Sequence, residues 1–287
     1  MIAASICWSF GGLCIKFIPW GAMSIVGIRA LLAAVVFAIF RKSVKINFTL
    51  GNILGALSLS ATTILFVFAN KLTTAAAAIL LQFSAPVFII LIELVMYKKK
   101  PSLSAILAVS LTIIGMLLFF AGNLDSGNML GNILAIISGF TFAGVFVSNK
   151  MPGTDSNHAM LLGFLINVVI GTPFVFFQAT ADPLAWGAAV FLGVVQVGLA
   201  YVFFSIGIKR TPALLACLIT AMEPVLNPVW VLIAGVLGFL PVLEKPGRYA
   251  IVGGAVIVLT VVCYNIWLEK HPPPDKIDHS PPNKIET

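Results

Sequence analysis

Residues 71–87 read KLTTAAAAILLQFSAPV, and residues 209–225 read KRTPALLACLITAMEPV. A shift of 138 positions lays one on the other with seven of 17 residues identical: Lys71/Lys209, Thr73/Thr211, Ala75/Ala213, Ala78/Ala216, Leu80/Leu218, Pro86/Pro224 and Val87/Val225. The same shift carries Leu54-Gly55 onto Leu192-Gly193, Phe66 onto Phe204, and Gly115 onto Gly253. A slightly smaller shift carries Trp8-Ser9-Phe10-Gly11-Gly12 onto Phe140-Thr141-Phe142-Ala143-Gly144. The match runs through most of the chain without a large gap, so the chain reads as two copies of one unit.

Composition says where that unit lives. Of 287 residues, 60% are hydrophobic and 9% charged, against ~45–50% and ~25% in soluble domains. No soluble fold of this size hides that much apolar surface, and ten acids cannot dress a soluble exterior. A secreted disulfide scaffold, a disordered chain and an ordinary cytosolic enzyme are excluded. The four cysteines, Cys7, Cys14, Cys217 and Cys263, lie inside apolar runs with no metal spacing and read as small packing residues.

Apolar runs fall at 2–18, 21–40, 50–69, 73–96, 103–121, 129–148, 157–177, 184–207, 212–237 and 249–268. A span needs ~20 mainly apolar residues, so the expectation is an all-α integral membrane protein with ten transmembrane helices. The first run has no basic flank before it and reads as a true helix, not a signal peptide. Five spans per copy is an odd number, so the second copy enters the membrane upside down: two inverted five-helix repeats. The expected units are 1–124 and 128–268, followed by a disordered cytoplasmic tail, 269–287, rich in proline and charge.

Lysine and arginine set the orientation. With the N-terminus in the cytoplasm, twelve basic residues fall inside and four (Lys16, Lys71, Lys245, Arg248) outside. Both ends are then cytoplasmic. The net charge of +7 punctuates spans instead of forming a soluble patch, which argues against nucleic acid as a partner. Inverted repeats place a site near the midplane, where the copies meet, and let one bundle rock against the other. The duplication thus points to a transporter.

Five plus five helices in inverted halves resemble the drug/metabolite transporter superfamily, EamA family of permeases. The residues carrying the resemblance are Trp8-Ser9-Phe10-Gly11 with Lys16 in the first span, Arg29-Ala30 then Ala33-Ala34 in the second, Thr73 to Ala78 then Pro86-Val87-Phe88 in the fourth, and Glu223-Pro224-Val225 in the ninth. Many members carry Gly-Glu after the fourth and ninth spans; here Met96-Tyr97-Lys98 and Gly238-Phe239 stand there. The resemblance implies secondary transport of small solutes in a bacterial inner membrane. The resemblance does not name the solute; the expectation is export of an amino-acid-like or amine compound, with sugar-nucleotides and lipid-like molecules as the alternative.

Glu223 is the sharpest candidate, an acid near the middle of a span, where a charge costs ~2.5–3.5 kcal/mol on insertion scales and marks function by default. It lines a cavity, and through a change of protonation couples protons, or it locks the bundle as a protonated hydrogen-bond donor. Thr220, Glu223 and Asn227 share one helix face; the repeat mates of the first two are Gln82 and Ala85. Pro86 and Pro224 stand one turn after Gln82 and Thr220 and are expected to bend both helices. Gln196, with Tyr201 nearby, needs a partner or a wet cavity. Trp8 and its mate Phe140 offer an aromatic wall. The expected substrate-binding set is therefore Trp8, Gln82, Phe140, Gln196, Tyr201, Thr220, Glu223 and Asn227.

Arg29 reads as structural, within snorkelling reach of the outer surface. Glu93, near the inner end of the fourth span, snorkels or meets Lys98, Lys99 and Lys100, which anchor topology. His271, His279 and all five aspartates lie outside the spans, His158 stands at the very start of one, and no phosphate-binding loop, metal motif or Ser-His pairing is visible. The expectation is no enzyme, no cofactor and no metal. The partners implied are a small solute, membrane lipid and, through Glu223, protons, with the chain as monomer or homodimer.

Overall fold

In lipid the apolar effect does not distinguish one hydrophobic face of a helix from the other, so helices associate where small side chains let backbones approach. The helix Leu103–Phe120 shows the division. Ala105, Ala108, Thr112 and Gly115 are buried, while Leu103, Ile106, Leu107, Leu111, Ile114 and Leu117 are exposed on the opposite side. The outer face is mainly apolar and bulky, the reverse of what a soluble surface requires, while the buried face combines these small residues with Val109, Met116, Phe119 and Phe120.

The computed structural model describes residues 1–11, 14–15, 18–121, 128–226, 230 and 247–271. The helices are α1 (Ile2–Trp8), α2 (Ala22–Arg41), α3 (Leu50–Leu72), α4 (Ala75–Gln82), α5 (Ala85–Tyr97), α6 (Leu103–Phe120), α7 (Met129–Ser148), α8 (Ser156–Gln178), α9 (Pro183–Phe191), α10 (Ala200–Gly207), α11 (Ala213–Thr220) and α12 (Arg248–Lys270). A π-helical stretch, Leu192–Leu199, joins α9 to α10. The described residues contain no strand. Side chains cap the N-termini of six helices: Thr49 for α3, Thr74 for α4, Ser102 for α6, Asn128 for α7, Asp155 for α8 and Asp182 for α9. Each accepts an otherwise unpaired backbone N–H.

Among the described residues, eight helical stretches are long and apolar enough to cross a membrane. The shorter apolar helix Ala213–Leu226 and the first segment, with α1, bring the count to the ten expected. The expected run 73–96 is broken: α4 ends at Gln82 and α5 begins at Ala85. The run 249–268 extends to Lys270, so Glu269 and Lys270, expected to open the tail, are helical. Residues 272–287 and the expected span residues 227–229 and 231–237 lie outside the described residues, as do Gly12, Lys16 and Asn227.

The two copies interlock by exchange. α2 packs on its mate α8 and α6 packs on its mate α12, while α5 meets α11, the mate of the preceding helix α4. The remaining pairings come in swapped couples. α3 packs on α7, and correspondingly α10 and the π stretch pack on α1; α3 packs on α8, and the π stretch packs on α2. A pseudo-twofold arrangement is what produces such a list. The duplicated Ser58 and Gln196 obey it as well. A Cβ on Gly144 would lie 2.5 Å from the Ser58 hydroxyl, and one on Gly11 would lie 2.5 Å from the Gln196 amide nitrogen. In both copies glycine makes room for a polar side chain from the other half.

A polar and aromatic centre between the two copies

Both proline steps interrupt their helices. After α4, Phe83 and Ser84 form a turn, and Pro86 sits in the first turn of α5, where its missing N–H costs no hydrogen bond. After α11, Ala221 forms the turn and residues 222–226, with Pro224, resume the helix. The expected bend is thus a true break, duplicated. Gly139 of α7 fits against the first break: a Cβ there would lie 2.7 Å from the Gln82 carbonyl oxygen and 2.5 Å from the Ser84 hydroxyl. Gln82 turns toward the same helix, its Nε2 donating to Ser138 Oγ at 3.2 Å.

Trp8 is buried and anchors an aromatic cluster drawn from both copies. Its ring meets Tyr201 edge-on with centroids 5.1 Å apart, Phe204 at 5.6 Å and Phe142 at 6.1 Å. Phe164 closes on Tyr201 at 5.4 Å. Helices α1, α7, α8 and α10 all contribute. The mate expected from sequence, Phe140, is not among them. It is 50% exposed on the outer face of α7, its ring against Phe88. Two residues along a helix turn a side chain by about 200°, so Phe142 points inward where Phe140 points out.

Gln196 lies in the π stretch and is buried. Its Nε2 donates to the Trp8 carbonyl at 3.4 Å, and its Oε1 has no partner among the described residues. π-Helical insertions of this kind recur at functional sites because they rotate one side chain out of register. Thr220 is fully buried, but its hydroxyl donates back to the Cys217 carbonyl at 2.6 Å and is committed to its own helix.

Glu223 follows the second break and is buried, with no hydrogen bond or ion pair to its carboxyl among the described residues. Its charged neighbour is Arg29. The sequence puts Arg29 in a structural role within partial snorkelling reach of the outer surface; in the structure it is enclosed by protein instead. Arg29 is 5% exposed, and its Nε and Nη1 are buried without partners. Arg29, Tyr201 and Glu223 lie within electrostatic reach of one another but not in hydrogen-bonding or ion-pair contact. The signal for Arg29 was present, since any charge inside a span marks function by default. Phe142, Phe164 and Phe204 gave no such signal, because apolar aromatics are common in every span.

At one end of the bundle a second set of charges gathers. Lys150, just after α7, pairs with Glu93 of α5 at 3.1 Å, so Glu93 meets the other copy and not the Lys98–Lys100 run expected for it. Lys209 pairs with Asp155 at 3.2 Å. His158 Nδ1 lies 3.3 Å from Arg41 Nη2 and accepts the Asn47 N–H at 3.0 Å. Burial pushes the Asp155 carboxyl up, but the Asn157 N–H, Lys209 and His158 outweigh it and hold it below the usual carboxylate value. Among the described residues no cluster could hold a metal ion, and the four cysteines are free.

Ten apolar helical segments around a buried polar and charged centre define a multi-pass α-helical membrane protein. The model of the EamA-like transporter family matches residues 1–121 and 129–266, and the chain belongs to that family: it is a transporter, not an enzyme. It is 26% identical over 197 residues to an "Uncharacterized transporter" of Archaeoglobus fulgidus, covering 69% of each chain. It is 28% identical over 150 residues to "Uncharacterized transporter YwfM" of Bacillus subtilis, covering 49% of this chain and 50% of that one. A solved structure described as "Crystal structure of protein" shares the fold with a TM-score of 0.72, over 94% of this chain and 96% of that one, at 17% identity.

Proposed function

We propose that the protein is a secondary transporter that moves amino-acid-like or amine solutes outward by alternating access. On this reading the repeats 1–124 and 128–268 rock against each other about the centre formed by Trp8, Gln196, Tyr201 and Glu223. The observation that carries the reading is Glu223, an unbonded acid buried at a helix break beside groups from both copies. An acid kept in the membrane interior without a protein partner has a ligand to supply one. A cationic amine would do so when the centre is loaded, and a proton when it is empty. Both termini then face the cytoplasm of a bacterial cell, and a single chain holds the complete centre.

The test is counterflow in proteoliposomes with radiolabelled amino acids, amines and sugar-nucleotides, with and without a pH gradient. Exchange of an amine-bearing solute that Glu223→Gln abolishes is the expected result. Exchange confined to sugar-nucleotides, or undiminished in Glu223→Gln, would overturn the assignment.

A further inference from the structure

We infer that Arg29 is the carboxylate-binding residue of this centre, so that the solute is a zwitterion and not a simple amine. The inference deepens the transport reading above and rests on it. Arg29 stands on α2, 5% exposed, and among the described residues its guanidinium donates no hydrogen bond; Nε and Nη1 are fully shut from solvent. A buried charge without a partner costs several kcal/mol. Glu223 is close enough to attract it but not to touch it, so the protein itself leaves the guanidinium's hydrogen-bonding capacity unused.

The other unused groups have the opposite character. Gln196 Oε1 is a buried acceptor without a partner, and the Glu223 carboxyl has none among the described residues. The π stretch packs on α2, where a Cβ on Gly193 would lie 3.2 Å from the Arg29 Cα, and Gln196 of that stretch donates to the Trp8 carbonyl beside the Trp8–Tyr201–Phe204 rings. The complement of that set is one carboxylate, one ammonium and an apolar body. Guanidinium binds carboxylate through directed N–H donors, which a lysine ammonium does not reproduce. Tyr201 brings a hydroxyl and an apolar ring to the same aromatic cluster.

The experiment is ligand binding to the full-length protein in detergent, by calorimetry and thermal shift. The probes are leucine, methionine and phenylalanine, each beside the amine that lacks its carboxylate. The expected result is that at least one amino acid binds and its amine binds at least tenfold more weakly. Arg29→Gln should lose that amino acid at least tenfold while the unliganded melting temperature stays level or rises, since an unpaired buried charge has been removed. Arg29→Lys should recover only part of the affinity. An amine that binds as tightly as its amino acid overturns the inference and leaves the transport reading standing; that comparison needs no variant. Undiminished amino-acid binding in Arg29→Gln overturns it too. A wild-type protein that is folded and binds neither class overturns both.

Discussion

Gly115 and Gly253, equivalent positions 138 residues apart in the two copies, face each other across the contact between α6 and α12. A Cβ on Gly253 would lie 2.5 Å from the Gly115 carbonyl oxygen, and one on Gly115 would lie 3.1 Å from the Gly253 carbonyl oxygen. Mates that meet in this way sit on the pseudo-twofold axis itself. Gly27 and Gly171, which are not equivalent positions, also meet closely where α2 crosses α8, each within 2.6 Å of the other's backbone if given a Cβ.

Gly253→Ala should destabilise the protein more than Gly115→Ala. The methyl on Gly253 would strike backbone, Phe119 N at 2.3 Å as well as the Gly115 oxygen. The methyl on Gly115 meets first a movable side-chain carbon of Ile257 at 2.8 Å. Overpacking a tight contact costs about 1–3 kcal/mol. Thermal unfolding in detergent should rank wild type above Gly115→Ala and Gly115→Ala above Gly253→Ala; equal melting points would remove the axial role.

Phe142→Ala should cost about 3–5 kcal/mol, the usual cost for a buried aromatic. Phe140→Ala should change stability by less than about 1 kcal/mol, because its ring already faces outward. Phe142 is buried against Trp8 and Phe146, whereas Phe140 is half exposed. Chemical unfolding of the two variants side by side decides which face of α7 is inside.

Glu93 and Lys150 tie the first copy to the second, with side chains 16% and 33% exposed. A double-mutant cycle of Glu93→Gln and Lys150→Met should give a coupling of about 0.2–1 kcal/mol, the range of partly exposed pairs. Neutralising Lys98, Lys99 and Lys100 together should leave that coupling unchanged. A coupling that vanishes in the triple-neutral background would mean that Glu93 belongs to the lysine run after all.

Asp155 provides a pH test outside the membrane. Its carboxyl is held below the ordinary value of 3.8, so its contribution is present above that value and is lost as pH falls through the lowered one. Asp155→Asn keeps the cap on α8, where asparagine serves as well as aspartate, but removes the charge facing Lys209. The gap in melting temperature between wild type and Asp155→Asn should therefore be small and constant from pH 8 to about pH 5, then close towards pH 3. A gap that widens on acidification would contradict the sign.

The membrane class, the spans and the duplication were legible in the sequence because each is a one-dimensional property. Hydropathy accumulates along twenty residues whatever their rotation, and a repeat is a matter of order. Pro86 and Pro224 were legible for the same reason, since proline acts on its own backbone; so was the acid in the ninth span. The inward direction of each side chain was not legible. Spans apolar on every face carry no amphipathic stripe to orient them, so helix rotation is decided by small-residue contacts between helices far apart in the chain. That rotation sent Phe140 outward and Phe142 to Trp8, and it took Glu93 to Lys150. It also shut Arg29 away from the surface without a partner. The sequence by itself determined what crosses the membrane and how many times; only the tertiary packing of one copy against the other decided which charges and rings share its centre.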